Sequence, residues 1–119
     1  MSLLNRGDVF ALETIGRRSG EPRYTPVGYW QDEYGAFVVG GGAAGMATEP
    51  DWVKNLRRTP VAAVWVQRSR IPVIAHELAG DDRARAQDEA TKIWPGVRRY
   101  ERKSGRVIPY FRLEGQSEM

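Results

Sequence analysis

Six short runs of β-forming residues, separated by brief connections, leave this chain few ways to hide the edges of its strands. Residues 9–14 alternate apolar with mixed side chains and read as a first strand. The segment GRRSGEP at 16–22 has two glycines and a proline, the composition of a turn. Residues 23–31 carry Tyr24, Val27, Tyr29 and Trp30 and read as a second strand. After a hairpin turn at 32–35, residues 36–39 return as a third. The run VAAVWVQ at 61–67 is a buried strand, residues 71–78 its partner across a basic turn, and residues 106–113 a sixth strand. Closure into a small barrel removes the open edges such strands would otherwise expose.

Two helices are predicted among these strands. Thr48 with Asp51 three residues on is a capping-box pattern, and Pro50 falls in the first turn, where its missing N–H costs nothing. Trp52, Val53 and Leu56 form the apolar face of this helix, which stops before Pro60. Asp81 or Asp82 can cap a second helix with the stripe Ala86, Ala90 and Ile93. Pro95 interrupts it, a further turn or two carries Val97 and Tyr100, and Gly105 ends that segment. The predicted order is β-β-β-α-β-β-α-β, a mainly β (α+β) fold. A length of 119 residues implies a single domain over 1–119.

Composition removes several chemistries. The chain has no cysteine and a single histidine, His76. Thiolate nucleophiles and Cys- or His-based metal sites are therefore not expected, and no metal is. Residues 36–47 form the longest weakly apolar stretch, but glycines break it and it falls short of the ~20 residues a membrane span needs. Residues 1–8 lack the basic-then-apolar order of a secretory leader, so a cytoplasmic protein is expected. The net charge of +3 suits nucleic acid, anionic lipid or an acidic small ligand. Arg57, Arg68, Arg70, Arg98, Arg99, Arg102 and Lys103 are dispersed and partly balanced by 15 acids, so a solvated surface is expected there and no nucleic-acid partner.

Three features can carry chemistry. In the GRRSG turn, Arg17, Arg18 and Arg23 lie within seven residues around Ser19, and can offer guanidinium forks, a hydroxyl and backbone N–H groups to one anion. The same turn can equally be a solvated hairpin end. Gly40, Gly41 and Gly42 precede Ala43 and a helix start, where bare backbone approaches a flat ligand or phosphate, or simply forms a surface loop. It is neither a dinucleotide fingerprint nor a Walker loop. On the helix EPDWVKNLRRTP, Trp52 and Leu56 read as core, while Asn55 is less easily explained so and can bond the glycine loop.

Together and in this order, the three pieces resemble the deazaflavin-dependent nitroreductases. ETIGRRSGEPRYTPVGYW is similar to their T-T-x-G-R-[KR]-S-G-x-x-R-x-x-P signature. VVGGGAAGMATEPDWVKNLRRTP resembles their strand, small-residue loop and P-x-W-x-x-N-L-x-x-x-P block. The tail from Trp94 and Pro95 through Tyr100 to Pro109 is similar to their closing W/Y-P…Y…R-x-I-P.

The resemblance implies a six-stranded split β-barrel, FMN-binding-like, with two or three short helices, and the cofactor F420. That cofactor carries a phosphodiester and an acidic oligoglutamate tail. By position, Arg17, Arg18, Ser19 and Arg23 would bind phosphate and tail, and Tyr24, Thr25, Pro26 and Val27 would run along the cofactor. Gly40, Gly41, Gly42 and Ala43 would lie against the ring and linker, and Asp51, Trp52, Lys54 and Asn55 would complete the cleft. The implied activity is transfer of hydride from reduced deazaflavin to a planar acceptor, a quinone, enone or nitro compound, with Tyr100 positioning the acceptor or donating a proton. FMN is the second choice of cofactor, a non-reductase ligand-binding barrel the alternative function, and monomer or homodimer the expected state. The chain departs from the family at Ala43, where a lysine is frequent, at Gly28, where an aromatic is, and at Val97 and Trp94, where tyrosines face the acceptor.

Overall fold

The computed structural model describes residues 8–42, 48–105 and 107–116, without the side chains of Tyr100 and Ser104. Its strands are β1 (Asp8–Ile15), β2 (Pro22–Gln31), β3 (Phe37–Gly40), β4 (Val61–Val66), β5 (Ser69–Glu77) and β6 (Tyr110–Gly115). They pair antiparallel in the order β1-β2-β3-β6-β5-β4 and close through β1 and β4, with β2 meeting β3 at residues 29–31 and β1 meeting β4 at residues 11–13. The helices are α1 (Asp51–Arg58), α2 (Gly80–Ile93) and α3 (Val97–Ser104).

Strand alternation sorts the apolar residues into two layers. Phe10, Leu12, Val27, Tyr29, Val39, Val64, Val73, Phe111 and Leu113 fill the barrel, and Trp52, Val53 and Leu56 of α1 belong to the same cluster. Trp30, Val38 and Tyr110 point outward instead and are covered by Ala86 and Ala90 of α2 and Val97 of α3. Thus α1 closes onto the barrel interior, whereas α2 and α3 shield one outer wall.

The strands match the sequence reading to within a few residues; three boundaries differ for physical reasons. Thr48 does not cap α1. The helix begins at Asp51, with extended Pro50 in the cap position and no side-chain cap, and Asp51 complements the helix dipole from the first turn. Neither Asp81 nor Asp82 caps α2, which starts at Gly80 after extended Ala79; both acids sit in its first turn. The last strand begins at Tyr110 rather than 106, because α3 runs to Ser104 and ends on Gly105 in the left-handed conformation (φ 72°).

Two glycines of the run also have a packing role that composition does not show. Gly40 ends β3, and a Cβ there would lie 2.6 Å from Cε1 of Tyr110. At Gly41 a Cβ would meet Val53 Cγ2 at 2.7 Å and Pro109 Cγ at 3.0 Å. These two glycines are required by the protein's own packing.

Candidate functional site

The β1–β2 turn is braced from within before it meets anything else. The Gly16 N–H donates to the Glu21 carbonyl and the Gly20 N–H to the Gly16 carbonyl, both at 2.8 Å. Gly20 has φ +73°, a conformation that suits glycine. Ser19 Oγ accepts from the Glu21 N–H at 3.1 Å and from Arg23 Nη2 at 3.3 Å.

The turn is then tied to α1. Asn55 Oδ1 accepts from both the Arg17 N–H (3.1 Å) and Arg17 Nη1 (3.0 Å). Arg17 Nη2 reaches Asp51 Oδ1 at 3.3 Å. Asn55 Nδ2 donates to Thr14 Oγ1 at 3.2 Å, and both residues are buried, at 3% and 1% exposure. Asn55 therefore bonds the arginine turn; most of the glycine loop that its position in sequence suggested as partner lies outside the described residues. Thr14 was missed entirely. Its signal was present: after Phe10 and Leu12 it is the polar member of an inward-facing, period-two series.

Between the turn and α1 lies a cleft of about 640 Å³, lined by Gly16, Arg17, Arg18, Ser19, Pro22, Arg23, Tyr24, Thr25, Asp51, Trp52 and Asn55. Its cations are not equivalent. Arg17 is paired with Asp51, whereas Arg18 and Arg23 have no carboxylate within 4 Å among the described residues. Elsewhere Arg57, Arg70, Arg83, Arg85, Arg98 and Arg112 each hold a carboxylate, and Arg58, Arg68, Arg99 and Arg102, which have none among the described residues, do not line this cleft. Two uncompensated guanidiniums beside a hydroxyl make a site for an anion.

The structure brings together Arg17, Arg18, Ser19, Arg23, Tyr24, Thr25, Asp51, Trp52 and Asn55 of the expected set. Pro26, Val27, Gly40, Gly41, Gly42 and Lys54 do not line this cleft; Val27 lies in the barrel core, and Pro26 and Lys54 are exposed. Ala43 and the Tyr100 side chain lie outside the described residues. Farther along β2, a Cβ at Gly28 would stand 3.0 Å from Cζ2 of Trp94. An indole from the end of α2 thus fills the space beside the glycine.

Among the described residues, no helix is long and apolar enough to cross a membrane. A family model for F420H(2)-dependent quinone reductase matches residues 2–114. Rv3178 of Mycobacterium tuberculosis, which bears the name F420H(2)-dependent quinone reductase, is 33% identical over 84 residues; the match covers 71% of this chain and 64% of that protein's length. A solved F420-H2 dependent reductase, FDR-A, superposes with a TM-score of 0.79 at 28% identity, over 96% of this chain and 99% of the other. The heme storage protein HutZ of Vibrio cholerae (TM-score 0.64, 13% identity, 92% of this chain and 82% of the other) shares the fold alone. The six-stranded barrel is therefore the split barrel of these reductases, and the chain belongs to the F420H(2)-dependent quinone reductase family, whose cofactor is F420.

Proposed function

We propose that this chain is an F420-dependent reductase that holds the cofactor's phosphodiester and acidic tail in the cleft between the β1–β2 turn and α1. The observation that carries this reading is the pair Arg18 and Arg23, uncompensated by any described carboxylate and facing a cleft of about 640 Å³. The residues fit the group: the cofactor end that needs cations meets the two arginines free to supply them. Each charge-assisted hydrogen bond there contributes about 1.5–3 kcal/mol. Bound F420 supplies the hydride; the protein binds, orients and shields it. The acceptor is a planar quinone, enone or nitro compound; Trp94 stands beside Gly28, where relatives frequently carry an aromatic on the second strand itself. Tyr100 is proposed, on its motif position, to position that acceptor or donate a proton.

A titration followed by tryptophan fluorescence tests this, since Trp52 lines the cleft. Micromolar binding of F420, much weaker binding of FMN, and turnover of a quinone by reduced F420 are expected. Equal affinity for both cofactors would contradict the assignment of the arginines to phosphate and tail.

A further inference from the structure

We infer that Thr14, acting through Asn55, is a positioning residue for the anion site: its buried hydrogen bond to the Asn55 amide is a latch that fixes the arginine turn. The inference rests on the proposed binding of F420 in this cleft and adds a role for Thr14 beside the cofactor contact that the motif implies for Asn55. The Asn55 side chain is already committed at both ends. Its oxygen takes two donors from Arg17, one from the main chain and one from the guanidinium, and its amide nitrogen gives a proton to Thr14. It is 3% exposed and lines the cleft, so what orients its amide also shapes the cleft wall.

The latch divides the labour among the arginines. Arg17, held by Asn55 and Asp51, fixes the main chain at the entry to the turn. Arg18 follows it directly, and Arg23 is steadied by Ser19; these two stay free to take the phosphate. Thr14 sets the direction of the amide. With its hydroxyl accepting from Nδ2, the amide oxygen is turned toward Arg17. A neutral amide suits this place, because a carboxylate would offset an arginine beside a site built for an anion.

Thr14→Val removes the acceptor at nearly constant volume, and Thr14→Ser restores it. The readout is the ratio of dissociation constants for F420 and for its deazaflavin chromophore lacking phosphate and tail. In Thr14→Val, F420 affinity is expected to fall about tenfold while the chromophore changes little, one mispositioned hydrogen bond being worth about that factor. Thr14→Ser should recover the wild-type ratio. General loosening of the fold would weaken both ligands alike and leave the ratio unmoved, which would overturn the inference. Should Thr14→Val fail to fold, side-chain NMR of the wild-type protein decides. On adding F420, the Arg18 and Arg23 Nε–H resonances should move while the Asn55 amide keeps its through-space contact with the Thr14 side chain. Loss of that contact in the complex would sink the latch. Failure of wild-type protein to bind F420 at all would refute the proposed function instead, and is told apart by that first titration.

Discussion

The cleft under the β1–β2 turn and the groove beside the β2–β3 hairpin are both polar hollows, yet their charges are arranged in opposite ways. The groove, about 350 Å³, is lined by Asp32, Glu33, Asp82 and Glu89 together with Arg85 and Arg112. Each of those arginines is already paired: Arg85 with Asp82 at 2.6 Å, Arg112 with Asp32 at 2.7 Å and also with Glu114. Asp32 further accepts from the Tyr34 and Ala36 N–H groups, so the carboxylate is spent in holding the hairpin. In the larger cleft the ratio is reversed. Asp51 and Asn55 are engaged by Arg17, and Arg18 and Arg23 are left over. The lesson is that the number of arginines near a hollow says little about its ligand; what counts is how many lack a partner within the protein.

The contrast is broken most sharply by charge reversal. Arg18→Glu should weaken F420 binding by about 100-fold, the loss of roughly 2.7 kcal/mol of charge-assisted bonding. Arg85→Glu in the groove should leave it within about twofold, since that charge is long-range and screened. Calorimetric titration of both variants makes the comparison, and equal losses would mean that net charge alone governs binding.

Gly40→Ala tests the claim that the glycine run serves packing. A Cβ placed 2.6 Å from the buried Tyr110 ring should cost about 1–3 kcal/mol in a thermal or denaturant melt. The same variant should bind F420 nearly as the wild type does wherever it is folded. Lost affinity with unchanged stability would return Gly40 to the ligand.

Asp32→Ala should cost about 1–2 kcal/mol, by removing two turn hydrogen bonds and the Arg112 pair, and leave F420 affinity unaltered. Burial works to raise the Asp32 pKa, but the Arg112 hydrogen bond and the turn N–H groups outweigh it and hold the carboxyl below its usual range.

The smallest effect is expected at Glu13. Its hydrogen bond to Arg70, aided by Trp65, holds its pKa below the usual carboxylate value despite partial burial. A carboxyl depressed in the folded state stabilises fully above its unfolded pKa of about 4.3 and loses that contribution as pH falls through the folded value. The melting temperatures of wild type and Glu13→Gln should therefore differ slightly at neutral pH and converge on acidification. A gap that widens toward acid would reverse the sign assigned here.

Much of the fold could be read from local patterns. Alternation in residues 9–14 and 61–67, and the prolines at 60 and 95, located strands and helix ends because these signals depend on neighbours alone. Helix starts were less legible. Thr48 and Asp81 have the right chemistry for caps, but the chain enters α1 through extended Pro50 and α2 through Ala79 and a Gly80 at φ 58°. The basic turn was legible as a charge cluster; the division between Arg17 and its neighbours was not, since it depends on Asn55, 38 residues away. Thr14 and Asn55 each interrupt an otherwise apolar face, and reading the two interruptions together would have paired them.

The most direct test of the account is a crystal structure with F420 bound. The phosphate should lie within about 3 Å of the Arg18 and Arg23 guanidiniums, with the Asn55 amide still on Thr14 and Arg17. A phosphate held elsewhere on the barrel, or a Thr14–Asn55 bond broken in the complex, would contradict it.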